Sequence, residues 1–233
     1  MSTPKATIVL VHGAWHGSWC WERVVPLLEG RGFKTRTVDL PSVGAQPGAT
    51  TDLSADAAAV DRVMAEIGGP VVLCGHSYGG MVISRVEAKN VARLVYICAF
   101  MPAEGESLVA IGGGKPAPWI QALDGGLMQP DPAKAEMVFY TDCDEETRRW
   151  AKSKIRPQTV ATMMEPVQRP AWRNAPSTYV VCANDQALFA DIQRTVFVPN
   201  ATEAVELQAD HSPFLSQPVA LADLLAARAA AVR

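Results

Sequence analysis

Ser77 is the residue around which chemistry could be built. It stands in LCGHSYGGMV, Leu73 to Val82, with Gly75 before it and Gly79 after it. A serine hydroxyl is a weak nucleophile until a base takes its proton, and the chain offers His12, His16, His76 and His211 for that work. His76 is adjacent, yet successive side chains at a strand end point in different directions, so its ring is badly placed for the Ser77 oxygen. His12 and His16 fall on the loop after the first strand. His211, in LQADHSPFL, falls on the loop after the last strand, at the edge where open α/β sheets bind ligands. His211 is the candidate base.

An acid that orients this base belongs on another loop of the same edge, between serine and histidine in chain order. Asp185 closes the run YVVCAN and fits. Asp210 is next to His211 and fails as His76 fails; Asp191 lies farther into the following helix; Asp142, Asp144, Glu145 and Glu146 read as a solvated acidic face. A tetrahedral oxyanion needs backbone N–H donors. One is expected from Tyr78, the residue after the nucleophile, and one from Ala14 in VHGAWHGSW, where Gly13 allows close approach. His12 is expected to brace that loop. Trp15, Trp19 and Trp21 are expected to pack it.

These residues need a scaffold that brings distant loops to one edge. Near-continuous apolar runs supply it: Thr7–Val11, Thr35–Leu40, Pro70–Gly75, Arg93–Phe100, Ser177–Asp185 and Glu203–Gln208. Helix-like stretches alternate with them at about Trp19–Arg31, Leu53–Ile67 (with Ser54 as N-cap), Gly79–Lys89 and Val219–Val232. The pattern predicts an α/β fold with a mostly parallel six-stranded sheet flanked by helices. Ser77 then sits on a sharp strand-to-helix turn, where Gly75 and Gly79 permit the two backbones to approach.

The rhythm breaks after Met101. Residues 102–176 contain Gly112-Gly113-Gly114, repeated prolines and apolar bulk, with no convincing buried strand. They are read as an inserted, mainly helical cap on a core formed by residues 1–101 and 177–233. Trp119, Met128 and Phe139 are the candidate pocket residues of that cap, though such side chains also serve as a cap's own core.

Composition sets the outer limits. The 233 residues are 48% apolar and 19% charged with a net charge of −3, so neither a nucleic-acid partner nor an anionic membrane surface is expected. No run approaches the roughly 20 apolar residues of a membrane span. The start, MSTPKATIVLVHGAW, lacks a long apolar region and a cleavage pattern, so no secretory leader is expected. The five cysteines form no C-x-x-C pair and suit buried thiols in a reducing cytoplasm. His12 and His16 are four apart, but no third ligand accompanies them, so no metal is expected. No cofactor is expected, a small-molecule substrate is, and a homodimer is left open.

Taken together, VLVHGAWHGSWCWERVVPLLEGRG, VVLCGHSYGGMV, YVVCANDQAL and ELQADHSPFLSQP resemble the α/β-hydrolase superfamily, close to the subgroup of plant methylesterases and hydroxynitrile lyases. The resemblance implies a nucleophile at Ser77, an acid at Asp185, a base at His211 and oxyanion amides at Ala14 and Tyr78. The lyases carry threonine where this chain has Gly13, and a nitrile-holding lysine where it has Ser212; both differences point to the esterase branch. The expected activity is hydrolysis of small to medium carboxylic esters through an acyl-enzyme on Ser77. A lyase or C–C bond hydrolase with the same triad, and a slow-turnover ligand-binding protein on a hydrolase scaffold, remain the alternatives.

Overall fold

The computed structural model describes residues 5–232. The core boundaries drawn at residues 1 and 233, and the first four residues of the stretch read for a leader, lie outside that range. In chain order the first half forms β1 (Thr7–Val11), α1 (Val25–Gly30), β2 (Thr35–Val38), α2 (Leu53–Ala65), β3 (Val71–His76), α3 (Gly79–Arg85) and β4 (Val91–Ile97). Then follow α4 (Leu108–Ile111), β5 (Ile120–Leu123), β6 (Leu127–Pro130), α5 (Ala135–Phe139), α6 (Glu145–Lys154), β7 (Gln158–Thr159) and α7 (Ala161–Met164). The chain closes with β8 (Ser177–Cys182), α8 (Ala190–Ile192), β9 (Glu203–Leu207), α9 (Pro213–Ser216) and α10 (Pro218–Ala230).

Six strands form one sheet in the order β2-β1-β3-β4-β8-β9, and every neighbouring pair is parallel. Each residue of β1, β3 and β8 is buried. That is why these strands read as largely apolar runs: both faces are covered, and their few polar members, Thr7, His76, Ser177 and Thr178, are buried too. The order also sets where a ligand can bind. From β1 the chain moves outward to β2, then crosses back to β3 on the other side. The loops after β1 and β3 therefore diverge from neighbouring strands and leave a crevice between them at the carboxyl edge.

Three helix boundaries differ from expectation for identifiable reasons. The stretch after β1 is a 3-10 turn, Ser18–Trp21, followed by α1, which begins around Pro26, since proline lacks the N–H a helix interior requires. The N-cap of α2 is Asp52, whose carboxylate accepts from Ala55 N at 2.9 Å; Ser54 instead gives both its N–H and its hydroxyl to Glu165. Helix α3 stops at Arg85 because the amides of Glu87 and Ala88 donate to Asp61 rather than to helix carbonyls.

Residues 102–176 contribute no strand to the main sheet. They hold α4 to α7 together with a three-stranded antiparallel sheet, β5-β6-β7; β6 and β7 are largely buried, which corrects the expectation of no buried strand in a mainly helical segment. The strands are four, four and two residues long, too short to show alternation. Gly125 and Gly126 turn β5 into β6 at φ 69° and 74°. All five cysteines are unpaired and buried. Among the described residues no helix is long and apolar enough to cross a membrane.

The start of α3 is packed against its neighbours with no spare room. A Cβ on Gly75 would lie 2.5 Å from the Gly79 carbonyl oxygen, and one on Gly80 would lie 2.2 Å from that of Phe100. Backbone cannot yield as a flexible side chain can, so Gly80→Ala should destabilise the fold by about 1–3 kcal/mol. Urea denaturation should show a lower midpoint at unchanged slope; an unchanged midpoint would contradict this packing.

Candidate active site

Ser77 is one of three described non-glycine residues with positive φ, at 51°. Three backbone hydrogen bonds hold it there: its N–H donates to Ile97 O at 3.2 Å, and its carbonyl accepts from Gly80 N at 2.9 Å and Phe100 N at 3.1 Å. The residue is 8% exposed, so it is buried but not wholly closed off from solvent.

The loops after β8 and β9 bring Asp185 and His211 together. His211 Nδ1 donates to Asp185 Oδ2 at 2.7 Å, and both residues are buried. The Asp185 carboxylate is fully engaged. Its Oδ1 accepts from Ala187 N and Leu188 N, each at 2.8 Å, and Oδ2 also accepts from Gln193 Nε2 at 3.0 Å. An imidazole whose Nδ1 carries the proton presents Nε2 as a free base. No hydrogen bond joins Ser77 to His211 among the described residues; in unliganded sites such contacts often tighten only with substrate.

His76 does not serve Ser77. Its Nε2 donates to the His211 backbone carbonyl at 2.7 Å, and Cys98 Sγ approaches the same oxygen at 3.5 Å. Asp210 is engaged away from the His211 ring, accepting from Ser212 N, Ser216 Oγ and Asp142 N. Asp191 pairs with Arg194 at the surface. The acidic face is partly structural, since Asp144 caps α6 by accepting from Thr147 N at 2.7 Å.

The loop after β1 lies against the serine. A Cβ on Gly13 would fall 2.7 Å from His76 Nδ1 and 2.9 Å from Ser77 Cβ, so only glycine fits. Two buried histidines orient the peptides on either side of Ala14. Leu40 N–H donates to His12 Nε2 at 3.0 Å, so the ring proton is on Nδ1, which donates to Gly13 O at 2.8 Å. In a trans peptide the N–H points opposite the carbonyl, so Ala14 N–H faces away from His12. His16 Nδ1 donates to Ala14 O at 2.8 Å, and its Nε2 accepts from the Tyr140 hydroxyl at 2.8 Å. Neither Ala14 N nor Tyr78 N finds an acceptor among the described residues.

Several residues that the sequence reading did not single out support this set. The Tyr78 phenol donates to Asp56 Oδ2 at 2.7 Å, the Ser42 hydroxyl to the same oxygen at 2.6 Å, and Ser42 N to Oδ1 at 3.0 Å. Gln158 Nε2 donates to Ser42 Oγ at 3.0 Å. A signal for Asp56 did exist: with Leu53, Val60 and Met64 it falls on the buried stripe of α2, where an acid must have partners. Gln158 and Gln193 carried no such signal.

The candidate pocket residues converge. Phe139 lies 5.7 Å from the His211 ring and 5.3 Å from Trp119. Trp15 packs 5.7 Å from Trp119 and donates through Nε1 to Met128 O at 3.2 Å. Trp15 thus belongs to the aromatic cluster beside His211, while Trp19 stacks on His16 and Trp21 packs on Phe214. A surface cavity of ≈ 680 Å³ lined by Arg85, Lys89 and Arg169 among others opens at the far end of α3 and contains none of these groups. His76, Cys98 and His211 gather potential metal donors within 4.8 Å of one another. One ring nitrogen of each histidine is taken, His76 Nε2 by the His211 carbonyl and His211 Nδ1 by Asp185, and burial pushes the Cys98 thiol up and keeps it protonated, so the third donor is a neutral thiol rather than a thiolate. The set does not fit a metal.

Residues 8–224 match the model of the alpha/beta hydrolase family, and the chain belongs to that family. It is 32% identical to an alpha/beta hydrolase, nvfD, of Aspergillus novofumigatus, covering 92% of each chain. It is 26% identical to methyl jasmonate esterase 1 of Vitis vinifera over 95% of each, which bears out the kinship with plant methylesterases. A pyrethroid hydrolase structure from Sphingobium faniae JZ-2 superimposes with a TM-score of 0.83 at 28% identity, covering 97% of this chain and 98% of that one.

Burial holds His12, His16 and His76 neutral. Desolvation lowers His16 to about 3 and lowers His12 and His76 as well. Their folded pKa values lie below the unfolded one, so the stability from burying them neutral is present above pH 6.5 and is lost as pH falls. Burial raises Asp56 to about 6, which has the opposite sign: proton uptake between about pH 6 and 4 favours the folded state. Of these, His16 can be isolated. His16→Gln should show an acid loss of stability between pH 7 and 5 that is shallower by roughly 2 kcal/mol, measured by denaturant titration at each pH. Equal slopes would show that His16 is not buried neutral.

Proposed function

We propose that this protein is a serine hydrolase of small to medium carboxylic esters, with Ser77 as nucleophile, His211 as base and Asp185 as orienting acid. The observation that carries the reading is the buried 2.7 Å Asp185–His211 hydrogen bond at the sheet edge where Ser77 is held at φ 51°. The relative named methyl jasmonate esterase 1 agrees with it.

His211 takes the Ser77 proton as Oγ attacks the ester carbonyl, and the carbonyl oxygen becomes an oxyanion facing the Ala14 and Tyr78 amides. Collapse of this intermediate expels the alcohol, protonated by His211, and leaves an acyl group on Ser77. Water, deprotonated by the same imidazole, then releases the acid. Asp185 holds the ring in the Nδ1–H tautomer and stabilises its charged form. Its four accepted hydrogen bonds fix its orientation against the ring. Phe139, Trp119 and Met128 would line the apolar side of the bound ester. Ser212 offers a hydroxyl and no charge where the lyases carry lysine, which sets the esterase reading above the lyase one.

With a panel of p-nitrophenyl and methyl esters, Ser77→Ala and His211→Ala should each lower kcat by at least about 10³-fold with KM little changed. Cyanide release from a cyanohydrin without ester turnover would establish the lyase instead. Background turnover with tight binding of a small ligand would establish a receptor.

A further inference from the structure

We infer that Gln158 is a positioning residue for the oxyanion loop, so that residues 102–176 complete the catalytic geometry rather than only covering it. The inference rests on the ester-hydrolase reading and concerns how its oxyanion donors are set.

Trp15 follows Ala14 and has φ 62°. A bulky residue in the left-handed region is strained and persists only where its surroundings hold it. For Trp15 those surroundings are the insertion. Its N–H donates to Gln158 Oε1 at 3.3 Å, its carbonyl accepts from Arg156 N at 3.0 Å, and its indole N–H donates to Met128 O. The peptide joining Ala14 to Trp15 is thereby pinned at both edges: its carbonyl by His16 Nδ1 and its N–H by Gln158. The preceding peptide is pinned at its carbonyl by His12. The Ala14 N–H is the one group of the two peptides left to point at a substrate.

The other end of Gln158 reaches the second proposed donor. Its Nε2 donates to Ser42 Oγ, whose hydroxyl donates to Asp56, which also accepts the Tyr78 phenol. Gln158, Ser42 and Asp56 are wholly buried, so water cannot substitute for a missing partner. One chain of hydrogen bonds therefore runs from the Ala14–Trp15 peptide to Tyr78 and fixes the spacing of the two amides that would share the oxyanion. The link requires an acceptor and a donor on one planar group. Glutamine has both, an ionised glutamate lacks the donor, and methionine has neither strong group.

The test compares Gln158→Met and Gln158→Glu with the unsubstituted protein, using p-nitrophenyl acetate as substrate and an alkyl trifluoromethyl ketone as oxyanion-forming inhibitor. Gln158→Met should lower kcat by about 10- to 100-fold with KM nearly unchanged, and weaken the ketone by a similar factor. Gln158→Glu, close to isosteric and buried near Asp56, regains both functions when its carboxyl is protonated. Its kcat, as a ratio to the unsubstituted protein, should therefore rise as pH falls from about 8 to 6, while the Gln158→Met ratio stays level. Retained kcat and ketone affinity in Gln158→Met, a loss confined to KM, or a level ratio for Gln158→Glu would each overturn the proposal. Should Gln158→Met fail to fold, the Gln158→Glu ratio decides alone. The underlying reading fails separately, if Ser77→Ala retains ester turnover.

Discussion

The turn that holds Ser77 at φ 51° is the constraint from which the rest of the site follows. A serine gains nothing locally from that conformation, so strand β3, helix α3 and the loop after β4 must impose it together. The close approach of Gly75 to Gly79 and of Gly80 to Phe100 lets α3 begin directly beside the sheet, and the Ser77 backbone bonds to Ile97, Gly80 and Phe100 fix its direction. The same closeness dictates glycine at position 13, where any Cβ would strike His76 and Ser77. The strand order 2-1-3 then places the β1 loop beside the serine without any connection between them.

Around this turn the protein has gathered polar groups in a region that excludes water, and each has a fixed proton. His12, His16 and His76 are neutral with one tautomer apiece, because each ring has at least one partner that can only donate or only accept. A buried polar network of this kind is rigid when satisfied and costly when broken. His76 is the instructive member. Adjacent to Ser77, it holds the His211 carbonyl instead, while its own Nδ1 lies buried without a partner against Gly13. Tyr78 is similar: its phenol is anchored on Asp56, which holds the residue whose backbone amide the proposed mechanism uses.

What could be read in the sequence divides along a physical line. The parallel sheet and the glycines of the turn were legible because backbone crowding and two-sided burial leave few residue types free to choose. Asp185 and His211 were legible as a pair because topology places both loops at one edge, and they do meet. The insertion was legible only as an interruption. Its strands are short, and β5 is half exposed, so its small sheet left no period. Gln158 and Gln193 were invisible because an amide's value lies in what faces it across the fold, 143 residues away for Gln158 and Trp15. The N-cap of α2 went to Asp52 rather than Ser54 for the same kind of reason: Glu165, from the insertion, had taken Ser54.

The central claim is that Ser77 is the nucleophile of this fold, and irreversible labelling tests it most directly. The protein is treated with an alkyl fluorophosphonate, digested and mapped by mass spectrometry while residual esterase activity is followed. The account predicts a single phosphonyl group per chain, on the peptide containing Ser77, with activity falling in proportion to labelling. Loss of activity with the label on another residue, or full activity with Ser77 labelled, would contradict it.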